Sequence, residues 1–556
     1  MAFGPEFISG LAGALKKFLP LRVNRIEGGE AWAALKTSNE NWLLLSWASG
    51  AAGVCPATQN EINALKEISP ARASISEALK SRLLHGGEII SVKQLNHDRI
   101  LEREARRRIS AGVSVSYFLI LEITEPVANF LLLDENHKID EAAKHSTPDV
   151  NSFRTILPGH VYTAPPAFEG IEINKSRTLN FEDVQNIKGV GRPLARLIQA
   201  HWEQRENISW LSAISKLNDE NSNVTCRVIK KNNYLTRFDF DFPETTSLGE
   251  DALKASRHGV LIPLLRKGRE KVLHSINAKL KRAAKSKERH RDGLLKQLKE
   301  CQAAEIFRKK GEAILTHIYE IPKRAEKINL TDWEGNELEI ILDPNLTPSR
   351  NAEKYFKRYR KAKGNPEEIQ ANLASINAAI QELKEQSALL DAIDDPENFN
   401  QAVKDLNEWI EPKESKRTGR QSAKKKQPEI PPHLNISKDG VNILVGLSAR
   451  GNRYVTFKAA NQNDIWLHAH EMPGAHVIIK GATRDELENE KREVLEFAAG
   501  LAAGHSSGKE SNSVPIDYTE RKYIRSVPGT VALVTYTNPG TLRISPLKNE
   551  FTERNN

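Results

Sequence analysis

The sequence predicts a multidomain α+β protein, and three observations carry that prediction. Its 556 residues exceed what one hydrophobic core organises. Short strand-like apolar runs occur towards both ends of the chain. The middle instead carries apolar residues at heptad spacing in a charged background. The expected pieces are a mixed α/β domain over 1–172, a helix-hairpin-helix domain over 173–261 and an antiparallel coiled-coil hairpin with a small insert over 262–412. A basic linker over 413–432 and a C-terminal α+β domain over 433–556 complete the chain.

In the first piece, Phe7 to Leu19 has helical periodicity, while Trp42 to Trp47, Tyr117 to Ile123 and Phe130 to Leu133 read as buried strands. The proline-rich Tyr162 to Phe168 marks its end. In the second piece, two short amphipathic helices are expected around Ile187-Lys-Gly-Val-Gly191. Gly189 and Gly191 would let the turn approach a phosphate, the N–H groups of a helix starting at Pro193 would point at it, and Arg192 and Arg196 would add charge. An ordinary αα corner with a tight turn gives the same pattern.

The third piece has two heptad arms. Leu273, Ile276, Leu280 and Ala283 mark the first. Ile369, Leu373, Ile376, Ile380, Leu383 and, past Ser387, Leu390 mark the second. Each arm can bury its stripe against the other, with two unrelated surface helices as the alternative. Between them Ile328 to Leu342 alternates around Glu334-Gly335-Asn336, a hairpin insert. In the last piece Val441–Val445, Tyr454–Phe457, Ile465–His468, His476–Ile479 and Thr530–Tyr536 are expected strands, and Glu493–Ala503 a helix.

The formal charge of +9 is modest, but its distribution is uneven. Basic residues crowd 264–310 and Lys413 to Lys426, which favours a polyanionic partner, nucleic acid above all. Cys55, Cys226 and Cys301 are far apart and odd in number, as expected of free thiols in a reducing cytosol. Phe7 to Leu21, broken by Lys16 and Lys17, lacks a basic leader, and no run of 18 apolar residues occurs, so neither a secretory signal nor a membrane span is expected. GxxxxGK[ST], GxSxG, HExxH and CxxC motifs are absent from the sequence.

The densest polar cluster is Asn463 to Lys480, NDIWLHAHEMPGAHVIIK. His468, His470 and His476 beside Glu471 can be read as metal ligands of a nuclease, or as phosphate contacts and structural groups around a Pro473-Gly474 turn. Trp466 reads as core, with base stacking as the alternative. Asp98-Arg99, taken by itself, reads as a surface ion pair.

In this order, with Asp464-Ile-Trp-Leu-His-Ala469, Pro473-Gly-Ala-His-Val-Ile478, Leu342-Asp-Pro-Asn-Leu-Thr-Pro-Ser349 and Asn351-Ala-Glu-Lys-Tyr-Phe356, the chain resembles the NFACT family over nearly its whole length. Relatives in that family include bacterial ribosome quality-control factors, the eukaryotic nuclear export mediator factor and proteins labelled fibronectin-binding. The resemblance implies a cytoplasmic factor, monomeric on the ribosome, that binds large subunits carrying peptidyl-tRNA through rRNA. It implies recruitment of tRNA, alanyl-tRNA in bacterial members, for template-free C-terminal alanine tailing that marks the chain for degradation. The ribosomal peptidyl transferase centre would make the bond, so no enzyme activity, cofactor or metal is expected. Asp98 and Arg99 fall on the family's pair implicated in reading the tRNA anticodon arm, and Trp466, His468, His470, Gly474 and His476 fall in its RNA-contacting C-terminal domain.

The chain also departs from the family. Members commonly carry an Asp just after the first Phe, where this chain reads Phe3-Gly-Pro-Glu-Phe7. A Gly-Arg-x-Ser-Asn segment is Glu125-Pro-Val-Ala-Asn129 here, so of the expected tRNA contacts in it only Asn129 is kept. Gly446-Leu447-Ser448 and Gly451-Asn452-Arg453 replace Gly-Arg-Asn and Gln-Asn-Asp runs. A divergent RNA-binding factor without tailing activity, or an extracellular-matrix adhesin, are the alternatives.

Overall fold

A computed structural model describes the chain apart from residues 39–40, 70–72, 85, 111, 151–152, 173–178, 218, 221, 412–429 and 548–556. Contacts divide it into two units, Met1–Val272 and Leu273–Asn556.

The first unit opens with β1 (Ala2–Phe3) and α1 (Pro5–Lys16). Pro5 stands in the first turn of α1, where a missing N–H costs nothing, and Phe7, Ile8, Leu11, Ala12 and Leu15 turn inward at helical spacing. Then come β2 (Leu21–Gly28), β3 (Trp32–Thr37), β4 (Trp42–Ser46), β5 (Gly53–Ala57), α2 (Gln59–Ile68), α3 (Ser74–Leu83), β6 (Gly87–Gln94), β7 (Ile100–Ser110), β8 (Val113–Glu122), β9 (Asn129–Leu133) and β10 (Ile139–Ala142). The strands form one sheet in the order β10-β9-β8-β7-β6-β2-β3-β4-β5. β4 and β9 are buried along their whole length, so their runs are apolar rather than alternating. The three strands expected here fall on β4, β8 and β9.

A segment of 3₁₀ helix, Phe181–Asn186, precedes α4 (Arg192–Ala200) and α5 (Asn207–Ser215). The first helix of the expected helix-hairpin-helix is thus a six-residue 3₁₀ segment capped by Asn180 and Asp183, too short to carry an α-helical nucleus, and α4 starts at Arg192 rather than Pro193. β11 (Cys226–Ile229), β12 (Tyr234–Arg237) and β13 (Thr245–Ser247) join β1 in a sheet ordered β1-β12-β11-β13, followed by α6 (Ala252–Ser256). Because β1 pairs in parallel with β12, the first residues of the chain complete the sheet of residues 226–247.

The 56-residue α7 (Leu261–Thr316) contains the boundary between the units. In the second unit β14 (Lys327–Thr331) and β15 (Glu337–Ile341) form the expected hairpin, then come α8 (Pro348–Ala362), α9 (Pro366–Asp391) and α10 (Pro396–Ile410). Ile276 and Leu280 of α7 and Leu373, Ile380, Leu383 and Leu390 of α9 are buried. Ser387 Oγ is 2.9 Å from Asn277 Oδ1, and a side chain on Gly364 would meet Cys301. Pairing 277 with 387 and 301 with 364 makes α7 and α9 antiparallel. Residues expected in the basic linker lie outside the described residues as far as 429.

The C-terminal part contains β16 (His433–Lys438), β17 (Val441–Gly446), α11 (Ala449–Tyr454), β18 (Ile465–Ala469), β19 (Val477–Ile479), α12 (Arg484–Asn489), α13 (Arg492–Gly504), β20 (Val514–Glu520), β21 (Ile524–Ser526), β22 (Val534–Tyr536) and β23 (Gly540–Ile544). Its sheet runs β16-β17-β19-β18-β20-β23, and Val494, Leu495, Ala498 and Ala502 of α13 share its core. The strand expected over Tyr454–Phe457 is instead the end of α11 and a π-helical segment, Val455–Ala459, closed by the Ala460 N–H donating to Val455 O. Ser448 starts this helix by accepting from the Gly451 N–H at 3.0 Å, and that cap overrides the β-forming run Tyr-Val-Thr-Phe. Of the expected strand Thr530–Tyr536, only β22 is a strand.

Candidate nucleic-acid interface

Asp98 and Arg99 lie in the tight turn joining β6 to β7. The Asp98 N–H donates to Leu95 O, and Asn96 and His97 between them have φ of +55° and +51°. Positive φ at both central residues suits a hairpin but strains residues other than glycine, and such strain concentrates where a turn has a task. Asp98 Oδ1 accepts from the Arg99 N–H at 2.7 Å, and its side chain lies 3.5 Å from Arg99 Nε. Gln94 Nε2 fastens the turn by donating to the carbonyls of Asp98 (2.8 Å) and Pro5 (2.9 Å). Both side chains are half-buried, with Asn96 and His97 exposed beside them.

This turn shares a cleft of ≈ 380 Å³ with the helical corner, lined by Ser9, Gln94, His97, Phe168, Lys188 and Glu220. Gly189, with φ of +77°, makes the corner's sharp turn. Gly191 serves packing: a Cβ there would overlap the Tyr234 hydroxyl. Its N–H donates to Glu6 Oε2 at 2.8 Å, so at Gly191 the close approach is made by the protein's own Tyr234 and Glu6. Thr236 Oγ1 donates to Glu6 Oε1 at 2.6 Å, and burial raises the Glu6 carboxyl above its ordinary value, opposed by these bonds and the field of Arg99. Arg192 and Arg196 remain exposed on α4. Asn129, by contrast, is buried: its Nδ2 donates to Lys144 O, and its Oδ1 accepts from the N–H groups of Phe130 and Lys144. It brackets the start of β9 and faces no solvent.

Along α7, residues 281–299 hold eight Lys or Arg against two acids. Lys281, Arg282, Lys285, Lys287, Arg289, Lys296 and Lys299 are exposed, and among the described residues none of them is joined to a carboxylate. At about 1.5 Å per residue this is a cationic stripe about 28 Å long, suited to successive phosphates.

The C-terminal histidines have separate environments. His476 is buried, with Nδ1 2.8 Å from Thr456 Oγ1 and its N–H donating to Asn452 Oδ1. Trp466 is fully buried among His468, His476 and Tyr536. Burial pushes His468 down to about 4 and His476 well below its ordinary value, so both are neutral near pH 7 and supply no charge to a phosphate. His470 is exposed and cation-prone: Asp517 Oδ2 lies 2.6 Å from its Nδ1 and raises its pKa. Asp517 is itself buried and accepts from Tyr536 and Thr541 hydroxyls, which with His470 hold it below the ordinary carboxylate range. Gly474 is buried, its carbonyl accepting from Asn452 Nδ2. Among the described residues no three His, Cys, Asp or Glu side chains form a metal-ligand group.

Asp517, Asn452 and Glu6 organise these sites and were not anticipated from the sequence. Asp517 had a usable signal, a lone acid on an otherwise apolar strand, Val514-Pro-Ile-Asp-Tyr. Glu6 had one too, as the acid inside the apolar face of α1.

Residues 20–213 and 264–426 match the family model of the NFACT N-terminal and middle domains. The Rqc2 homolog RqcH of Streptococcus suis is 29% identical over 583 residues, with 99% of each chain covered. The Rqc2 homolog RqcH of Bacillus subtilis is 29% identical over 503 residues, covering 83% of this chain and 84% of that one. A solved structure of the C-terminal part of the fibronectin/fibrinogen-binding protein from Streptococcus suis is 28% identical, covers 51% of this chain and 98% of that one, and superposes with a TM-score of 0.35. No helix among the described residues is long and apolar enough to cross a membrane.

Proposed function

The chain belongs to the NFACT family, and on that premise we propose that it is a cytoplasmic ribosome quality-control factor that binds large subunits obstructed by peptidyl-tRNA and recruits tRNA to them. The α7 stripe grips rRNA through phosphates, a contact that positions without reading sequence. The β6–β7 turn reads the tRNA: the Arg99 guanidinium stacks on or bonds an unstacked base, and Asp98 orients it. Alanyl-tRNA delivered in this way supports template-free alanine tailing, with the ribosome's peptidyl transferase centre forming the bond. The protein positions RNA and catalyses no step itself.

The observation that supports this reading is the β6–β7 turn, where left-handed Asn96 and His97 line a cleft with Lys188 and lead directly into Asp98 and Arg99. The test is to sequence the RNA that co-purifies with the full-length protein and with the Asp98→Ala/Arg99→Ala variant. The expected result is tRNA and large-subunit rRNA with the parent, and loss of the tRNA alone with the variant. Unchanged tRNA recovery removes the pair from the site.

A further inference from the structure

The proposed function leaves the proline-rich Tyr162 to Phe168 unused, yet its last residue lines the cleft beside the β6–β7 turn. Phe168 is 46% exposed, and among the described residues no other ring or cation packs on its face. Single exposed rings are common on protein surfaces, but this one is held in place. A Cβ on Gly170 would stand 2.5 Å from Phe168 Cε1 and 2.4 Å from Asn186 O. Glycine there lets the ring fold back over its own segment, and the segment lie against the helical corner. The Ile171 N–H donates to Asn186 O at 2.6 Å and the Lys188 N–H to Ile171 O at 2.9 Å, which fastens the segment. The ring is therefore a platform ordered before anything binds.

The rest of the lining narrows the chemistry. Gln94 Nε2 gives its protons to the carbonyls of Pro5 and Asp98, which settles how the amide points and leaves Oε1 as an acceptor with no donor among the described residues. Asn96 adds an exposed amide that has no side-chain partner among the described residues. The charged groups at the rim are already matched: Lys188 with Glu172 at 3.0 Å, Glu220 with Lys16, and Arg99 with Asp98 at 3.5 Å. With each cation facing an anion, the cleft draws in neither a lone phosphate nor a lone peptide cation. A flat neutral ring with a hydrogen-bonding edge suits it, because the ring covers Phe168 and the edge meets two amides. The volume of ≈ 380 Å³ has room for one such ring.

We infer that Phe168 is the platform on which one unstacked RNA base lies in this cleft, with a base N–H donating to Gln94 Oε1. The inference rests on the tRNA-binding reading above and assigns the stacking surface of that same site to a residue outside the Asp98-Arg99 pair. Stacking tolerates any base, so Phe168 supplies affinity, while the amides of Gln94 and Asn96 meet the edge of the base.

The test uses the full-length protein and a short RNA hairpin shaped like a tRNA anticodon arm, with 5-iodouridine placed at each loop position in turn. Long-wavelength irradiation joins this base to an aromatic ring stacked on it, and peptide mass spectrometry maps the joined residue. The expected result is crosslinking to Phe168 from one loop position. Phe168→Ala should weaken hairpin binding by about 5- to 150-fold, the worth of one base stacked on a side-chain ring, and Phe168→Tyr should restore it. An abasic site at the crosslinked position should cost a similar factor in the parent and little more in Phe168→Ala, as expected when both changes remove the same contact. An unchanged melting profile shows that the variants fold. Hairpin binding without a Phe168 crosslink, crosslinking spread evenly over the loop, parent affinity in Phe168→Ala, or additive losses overturn this inference alone. Failure of the unaltered protein to bind the hairpin or tRNA sinks the tRNA-binding reading and this inference with it.

Discussion

Replacing Glu6 with Ala tests how the first unit is held together. The Glu6 carboxylate accepts from Gly191 N–H and Thr236 Oγ1, tying α1 to the helical corner and to β12. Alanine leaves two buried donors unpaired, at about 2 kcal/mol each, so opening is favoured by about 4 kcal/mol, or roughly 10³-fold. Glu6→Gln keeps an acceptor for one donor and costs about 1–2 kcal/mol on the same scale. Alkylation of Cys226 on β11 reads the opening, because that thiol is buried and burial pushes it up to about 12, leaving it inert in the closed state. Peptide-resolved mass spectrometry should find Cys226 modified roughly 10³-fold faster in Glu6→Ala and about tenfold faster in Glu6→Gln. Cys301 in the second unit, also buried, should keep its rate. Cys226 alkylation in Glu6→Ala at the parent rate, or equal acceleration at Cys301, would refute this account of the carboxylate.

Two further outcomes are expected. Glu382 of α9 is buried and accepts from the N–H groups of Val531 (2.8 Å) and Ala532 (2.5 Å), so Glu382→Ala should cost about 2–4 kcal/mol and release those two amides to hydrogen exchange, which is measured residue by residue. His468, depressed to about 4, takes up its proton more readily unfolded than folded. The stability it contributes is therefore present above pH 6.5 and lost as pH falls from about 6.5 towards 4, by about 3 kcal/mol in all. His476 acts in the same sense, whereas the raised His470 contributes below its ordinary pKa and loses that contribution as pH rises through its folded value. A pH series of thermal unfolding should show the acid loss, and His468→Gln should flatten it.

What the sequence disclosed depended on how local the determinant was. The heptad stripes on α7 and α9 were legible in part: Ile276, Leu280, Leu373, Ile380, Leu383 and Leu390 are buried, whereas Leu273, Ala283, Ile369 and Ile376 are only half-buried. α10 escaped notice although Asp395-Pro396 announced it: the Asp395 side chain accepts from the Asn398 N–H at 2.8 Å, an N-cap with proline in the first turn. The π segment after α11 could not be read from Tyr-Val-Thr-Phe, whose local preference is for strand.

The sites show the same divide. Arg99 was unremarkable until the family resemblance ranked it, because the turn's left-handed Asn96 and His97 carry no glycine to signal them. Gly191 was legible as a glycine that something approaches closely, but the sequence pointed to a phosphate where the fold supplies Tyr234 and Glu6. The position after Phe3 lies beside the same carboxylate. A side chain on Gly4 would overlap the Glu6 carboxylate, so the acid two residues on fills that space.

The most direct test of the ribosomal reading is co-sedimentation of the full-length protein with purified large subunits across a salt series. With several phosphates gripped by the α7 stripe, the protein should pellet with subunits at low salt and lose about 10³ in affinity between roughly 50 and 200 mM salt. Replacing Lys281, Arg282, Lys285 and Lys287 with Gln should weaken binding and flatten that slope. Protein confined to the subunit-free fraction at low salt, or binding that ignores salt, would contradict the account.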